Sequence, residues 1–357
     1  MLEADVEVDR REFAVRAALR VAPGERLALF GPSGAGKTTL LEAIAGVVPP
    51  RRGQVVLGGR VLTSTTSPAC FVPPWQRRVG LLRQDPALFP HLSVRDNLCY
   101  APGSDSSGPE LAQVAETLGI SGLLSAMPAR LSGGQAHRVA LGRLLLAHCE
   151  ALLLDEPYTG LDASLRRVLT ELVVELVGAR SVPAMLVAHE LAEAQAFADR
   201  LAILDRGRLL QVGAPDEVVL RPASRRVAEL VGYLGFVPAA GHEGTVAGVH
   251  PERVAAGAHP GRGVVLTGTV AACRPAGAGW EADLTIGDTV ATCRLAERLA
   301  PVGGELVVTA LDPPWFGPDG TAIDPPRTLI CASAFFRTSN PWLTAAINHI
   351  ADAITGG

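Results

Sequence analysis

Lysine is nearly absent from this chain: of 32 lysine and arginine side chains in 357 residues, one is a lysine, Lys37. Long apolar runs are absent too. No stretch reaches the ~18 consecutive apolar residues that a membrane-crossing helix needs, and even Leu144–Leu154 is interrupted by His148 and Glu150. The positive mean hydropathy, +0.26, therefore comes from dispersed Ala, Val and Leu. The start, Met1-Leu2-Glu3-Ala4-Asp5, is acidic and has no apolar h-region, so no signal peptide is expected. Cys70, Cys99, Cys149, Cys273, Cys293 and Cys331 form no C-x-x-C pair. That excludes the common zinc and dithiol spacings and predicts reduced, structural thiols. Nor is there a basic excess: a formal charge of −4 and a pI near 6.1 give no drive toward nucleic acid.

The solitary lysine lies in Gly31-Pro32-Ser33-Gly34-Ala35-Gly36-Lys37-Thr38, a full match to the phosphate-binding pattern G-x-x-x-x-G-K-[ST]. A compact ammonium on a flexible stem reaches between β- and γ-phosphate oxygens as a point charge, where a planar guanidinium would not fit the closed loop. The context agrees. A turn at Pro23-Gly24-Glu25 and an apolar strand Leu27–Phe30 precede the loop, and a helix over about 36–46 follows it.

The length fits two domains. Further apolar strands are expected at Ala151–Leu154, ending in Asp155-Glu156, at Ala184–Ala188, ending in His189, and at Leu201–Leu204 before the turn Asp205-Arg206-Gly207. Apolar strands alternating with amphipathic helices predict an α/β fold with a parallel sheet and its ligand at the strand carboxyl ends. Residues of about 85–150 read as an inserted helical subdomain, with breaks at Pro102-Gly103-Ser104 and Ser106-Ser107-Gly108. A short helix over 225–232 closes the first domain, taken as 1–232. Short β-rich runs at Val264–Ala271, Trp280–Ile286, Thr289–Leu295 and Glu305–Ala310 then predict a small β-barrel over 236–326. In the tail, 327–357, Asn340-Pro341 could cap a helix carrying Leu343, Ile347, Ile350 and Ile354 on one stripe, with Phe335, Phe336 and Trp342 nearby.

In order, the phosphate loop (Walker A, 31–38), Gln84, Leu131-Ser132-Gly133-Gly134-Gln135, Ala151–Glu156, Gly160-Leu161-Asp162 and His189 resemble the nucleotide-binding subunit of ABC transporters. The resemblance implies a P-loop NTPase with a RecA-like core and a helical subdomain, binding ATP and Mg²⁺. It implies that Gly31–Lys37 with Thr38 and Thr39 cradle the phosphates, and that Thr38, Asp155 and Gln84 surround the metal. Glu156 would be the general base, His189 a bridge between water and γ-phosphate, and Lys37 and Gln84 further parts of the catalytic set. Ser132, Gly133, Gly134 and Gln135 would act on the ATP of a second subunit in a head-to-tail homodimer, with Asp162 in the adjoining loop. Phe13 is the one candidate for the adenine-stacking aromatic, and a core phenylalanine is the equal alternative. Three places depart from the pattern: Arg83 stands where many relatives have an aromatic, Ala136-His137-Arg138 follows the signature, and Tyr158-Thr159-Gly160 follows Pro157.

Leu88-Phe89-Pro90-His91-Leu92-Ser93-Val94 resembles the importer subfamily for oxyanions, iron, polyamines and sugars. Val249-His250-Pro251-Glu252-Arg253 looks like the entry strand of its C-terminal TOBE or molybdate-binding-like barrel. Within the subfamily, Met1-Leu2-Glu3, Gly59-Arg60-Val61-Leu62 and Arg77-Arg78-Val79-Gly80 are most similar to molybdate importers, with tungstate, sulfate, iron(III) and polyamine as alternatives. The resemblance implies separate transmembrane permease subunits, an extracytoplasmic substrate-binding protein acting through them, and a place on the cytoplasmic face of a bacterial membrane. The barrel reads either as an oxyanion sensor or, preferably, as a dimerisation domain. His242, His250, His259, Cys273 and Cys293 are too irregularly spaced for a metal site. A soluble ABC ATPase of DNA repair or translation is the competing class. Sustained heptads and a second cassette are both missing here.

Overall fold

Period-two alternation opens the chain: in Leu2–Asp9 the apolar residues Leu2, Ala4, Val6 and Val8 are buried and the acidic ones between them are not. The computed structural model describes residues 1–100, 109–239, 242–259 and 261–326, which places the tail expectation of 327–357 and the two loop breaks after 101 outside the described residues. In chain order the first part runs β1 Leu2–Asp9, β2 Ala14–Val21, β3 Arg26–Phe30, α1 Lys37–Ala45, β4 Arg52–Leu57, β5 Arg60–Ser64, β6 Cys70–Phe71 and β7 Val79–Leu82. It continues with α2 Val94–Leu98, α3 Pro109–Thr117, α4 Gly133–Leu146, β8 Ala151–Asp155, α5 Ala163–Arg180, β9 Ala184–Val187, α6 Leu191–Phe197, β10 Arg200–Asp205 and β11 Arg208–Gly213.

One sheet joins these strands in the order β6-β5-β4-β1-β2-β11-β10-β3-β9-β8-β7. The block β10-β3-β9-β8-β7 is parallel, as the unbroken apolar runs predict, and β8 and β9 are buried along their whole length. The flanking wing β6-β5-β4-β1-β2 is antiparallel, an element absent from the sequence reading. Its half-exposed strands alternate polar and apolar residues, a weaker signal than the parallel block gives. The helical segment expected at about 85–150 holds α2, α3 and α4.

Arg77 fastens α1 to the wing. Its side chain is fully buried. Nη1 donates to Ile44 O (2.9 Å), Nε to Val72 O (2.7 Å) and Nη2 to the Thr63 hydroxyl (2.8 Å). The guanidinium thereby satisfies a carbonyl in the last turn of α1, where a cation is favoured. Gly46 ends that helix at φ 81, and a Cβ there would lie 2.2 Å from Arg77 Nε. Arg77→Ala strands these acceptors in a dry site and is expected to lower the unfolding free energy by about 3–5 kcal/mol, read from urea melts.

The second compact unit begins at Glu217, so α8 Arg225–Leu230 belongs to it, while α7 Pro215–Leu220 spans the division. Its strands are β12 Phe236–Pro238, β13 Val246–Gly248, β14 Val254–Ala256, β15 Gly263–Ala276, β16 Gly279–Ile286, β17 Thr289–Leu295, β18 Glu305–Leu311, β19 Trp315–Phe316 and β20 Ala322–Ile323. Each of the four runs read from the sequence is a strand. They form an antiparallel sheet β14-β18-β15-β16-β17 beside a smaller one, β12-β13-β19-β20. A closed barrel needs a ladder between the outer strands, and none joins β14 to β17 among the described residues. The unit is therefore two sheets around Leu266, Val270, Leu284, Cys293 and Val308. Val249–Arg253, expected as an entry strand, is the connection between β13 and β14.

Candidate functional site

The parallel strands end level with one another. Leu82 of β7 pairs with Leu154 of β8, Asp155 with Val187 of β9, and Val187 with Leu29 of β3. Gln84, Asp155, Glu156, His189 and the loop beginning at Gly31 consequently leave the sheet from one edge.

Close packing dictates the loop's glycines. A Cβ on Gly31 would lie 1.9 Å from Leu204 O, and one on Gly36, at φ 106, would lie 2.5 Å from a Val15 methyl. Gly36 is also the N-cap of α1, and no side chain caps that end and no acidic residue lies in its first turn. The leading N–H groups thus face the loop interior, an anion seat. Ser33 and Gly34 form the exposed crest and Ala35 packs inside. Lys37 is 8% exposed, and its ammonium donates to Gly31 O (2.7 Å) and Pro32 O (3.0 Å). Burial lowers its pKa, while Glu156 and Asp155 oppose that shift.

Asp155 is buried, and its Oδ1 has no hydrogen-bond partner. Burial pushes its pKa up, the Thr38 hydroxyl bond pulls it down, and Glu156 and Glu42 push it further up. Glu42 lies one helical turn after Thr38, a spacing that could have flagged it from the sequence. The orphan carboxylate oxygen beside a hydroxyl is an all-oxygen pair suited to Mg²⁺, which takes few protein ligands and completes its shell from phosphates and water. Among the described residues no group of three or more His, Cys, Asp or Glu could hold a metal.

Glu156 follows with φ 50, a left-handed turn at the strand's end, and its N–H donates to Val187 O (3.2 Å). That turn aims it into a cleft of about 360 Å³ shared with His189, Thr159, Arg166 and Glu193. His189 is exposed and its backbone N–H donates to Glu193 Oε2 (3.3 Å). Gln84 is exposed just past β7. Its neighbour Arg83 pairs with Glu42 of α1 at 3.2 Å, so an ion pair stands where the resemblance led to an aromatic being expected.

Ser132 caps α4 reciprocally with Gln135: Gln135 N donates to the serine Oγ (3.2 Å), and Ser132 N to Gln135 Oε1 (2.9 Å). The serine proton stays free to donate. Gly133 has open space on its Cβ side, and a Cβ on Gly134 would lie 3.9 Å from Gly160 O, so the start of α4 adjoins the turn after Glu156. His137, read from the sequence only as a departure, is buried one turn further and hydrogen-bonds the Pro157 backbone. Asp162 caps α5, accepting from Leu165 N (3.0 Å) and Ser164 Oγ (2.5 Å), which hold its pKa down. Phe13 is half-buried, with one side against the core and beside Gly207. Thr39 is buried and accepts a 2.5 Å hydrogen bond from Arg10, a residue the sequence gave no reason to single out.

Residues 15–159 match the family model described as "ABC transporter". The chain is 40% identical over 225 residues to the Fe(3+) ions import ATP-binding protein FbpC of Mesorhizobium japonicum, covering 62% of each chain. It is 40% identical over 220 residues to the trehalose/maltose import ATP-binding protein MalK of Thermococcus litoralis, covering 60% of this chain and 59% of that one. It is 41% identical over 240 residues to the sulfate/thiosulfate import ATP-binding protein CysA 2 of Chromobacterium violaceum, covering 65% and 64%. The matches thus span less than two thirds of these relatives. Among solved structures, a dimeric ATP-binding cassette bound to ADP and Pi aligns with a TM-score of 0.51 at 25% identity, over 60% of this chain and 99% of that one. An ATP binding subunit of an ABC transporter aligns with a TM-score of 0.53 at 27% identity, over 65% and 95%. The part of the chain that these structures cover has the ABC ATPase fold, a P-loop NTPase.

Proposed function

We propose that this chain is the ATP-hydrolysing subunit of a binding-protein-dependent importer, working as a homodimer beneath separate permease subunits on the cytoplasmic face of a bacterial membrane. The observation that carries the reading is the convergence of Lys37, Thr38, Asp155, Glu156 and His189 at one sheet edge. ATP lies along the α1 N-terminus, and Lys37 exchanges the Gly31 and Pro32 carbonyls for β- and γ-phosphate oxygens. Thr38 and Asp155 would hold Mg²⁺, with Gln84 close by, and the ion would neutralise charge on the phosphate oxygens. Glu156 takes the proton of the attacking water, and His189 bridges that water and the γ-phosphate. Ser132, Gly133, Gly134 and Gln135 face the ATP of the second subunit, with Asp162 beside them. ATP therefore holds the dimer closed and hydrolysis releases it, a two-state element that drives the permease. The substrate-binding protein acts only through the permease, and nucleic acid takes no part.

Residues 1–232 make the ATPase in this reading, and 236–326 a dimerisation domain of TOBE type. The cargo shifts from molybdate toward the alternatives. Iron(III) and sulfate stand in the names of similar proteins, whereas molybdate rests on the short motifs alone. The test is elemental mass spectrometry of a deletion strain grown at limiting iron, sulfate and molybdate. Iron loss rescued by wild type but not by a hydrolysis-dead variant supports iron import. Loss of sulfur or molybdenum instead reassigns the cargo, and no loss of any element sinks the importer reading for all three.

A further inference from the structure

We propose that Arg10 is a nucleotide-contacting residue whose guanidinium binds the α-phosphate of ATP; this rests on the ATP-site reading above. Arg10 lies in the turn between β1 and β2, closed by Arg10 N donating to Phe13 O (2.9 Å). Its Nη1 donates to the Thr39 hydroxyl at 2.5 Å, which brings the side chain over the first turn of α1. Direction along the site follows from the helix. Lys37 feels Glu156 and Asp155, and Thr38 bonds Asp155, so these two residues face the hydrolytic end. Thr39 is turned ~100° further round the helix, away from the carboxylates. If the γ-phosphate lies toward Glu156, the Thr39 side is where the phosphate chain runs back to the nucleoside.

Arg10 is suited to that place in two further ways. Most arginines of the sheet wing are spent on carboxylates: Arg16 pairs with Glu7 at 3.1 Å and Arg20 with Glu3 at 3.2 Å. Arg10 has no carboxylate within 4.0 Å among the described residues, so its charge beside the anion seat is not neutralised by the protein. A guanidinium also carries five donors in a flat fork, of which the Thr39 bond uses one. Meanwhile Phe13, the aromatic of the same turn, is packed against the core. The turn therefore carries a cation beside the half-buried ring.

Isothermal titration of the full-length chain tests this with ATP, ADP and inorganic pyrophosphate. Pyrophosphate lacks the nucleoside-bearing phosphate, and in this reading it takes the β and γ seats beside Lys37. Arg10→Ala is expected to weaken ATP and ADP by roughly tenfold or more, the range of a charge-assisted hydrogen bond, and to leave pyrophosphate unchanged. Arg10→Lys, keeping the charge, should recover part of the loss. Unchanged ATP affinity in Arg10→Ala overturns the proposal. So does an equal weakening of pyrophosphate, which would mean that Arg10 merely braces the loop through Thr39. Lys37→Ala separates the two levels of inference: it should weaken all three ligands. Wild type binding none of them would instead refute the ATP site itself and the role of Arg10 with it.

Discussion

Glu156→Gln is expected to bind ATP with near wild-type affinity and to lose steady-state turnover by about 10²–10⁴-fold, the usual contribution of a positioned general base. The substitution keeps the size and one oxygen, so the left-handed turn at φ 50 and the cleft shared with His189 are retained. What is lost is the ability to accept a proton from water. If, as proposed, hydrolysis separates the two subunits, the variant should also accumulate as a dimer in ATP. Phosphate release and light scattering on one preparation read both consequences. Undiminished phosphate release would remove Glu156 from the base role. Lost turnover without an ATP-dependent dimer would leave the base in place and overturn the head-to-tail arrangement. His189→Ala should show a smaller loss, since in the proposed mechanism that residue bridges rather than accepts the proton.

The site was legible because its chemistry is local in sequence. The phosphate loop needs glycines where backbone and neighbours come closest, as at Gly31 against Leu204 O, and a lysine within reach of its own loop carbonyls. Asp155 and Glu156 end an apolar run, so strand and acid are read together. The wing β1-β2-β4-β5-β6 was not legible. Its alternating residues satisfy a half-buried strand and give no hint of partners far away in sequence. Arg77 illustrates the same limit: in sequence it is one of many arginines, and only the fold shows it fastening Ile44, Val72 and Thr63. In the second unit the strand positions followed from composition, but closure into a barrel depends on which outer strands meet. That pairing is set by register, and register is not written in any single segment.

Asp155→Asn is expected to stabilise the fold while abolishing ATP turnover. Burial, with Glu156 and Glu42, holds this carboxyl above its ordinary range against the pull of Thr38 and Lys37. A carboxyl whose pKa is higher folded than unfolded binds more proton in the folded state. Stability then falls as pH rises from the unfolded value, near 3.8, through the folded one, and the deficit is fully present at neutral pH. Asparagine removes the charge but keeps the shape, so the gain at pH 7 should be about 1–2 kcal/mol, shrinking as pH falls through the raised folded value and absent below the unfolded one, near 3.8. For a unit of this size that is a Tm rise of roughly 2–4 °C per kcal/mol. Addition of Mg²⁺ and nucleotide should reverse the order. The wild-type carboxylate, with its unpartnered Oδ1, gains a cation that the amide holds far less well, so the ligand-induced Tm shift should be larger in wild type. Thermal melts of both proteins at pH 7, with and without Mg²⁺ and ATP, read all of this. A less stable Asn variant in the absence of ligand would mean that Lys37 and Thr38 already compensate the charge. Equal ligand shifts would take the metal away from Asp155. In the proposed reading the instability at this position is the same feature that would ready it for the ion, because a carboxylate satisfied by the protein would have little left to offer.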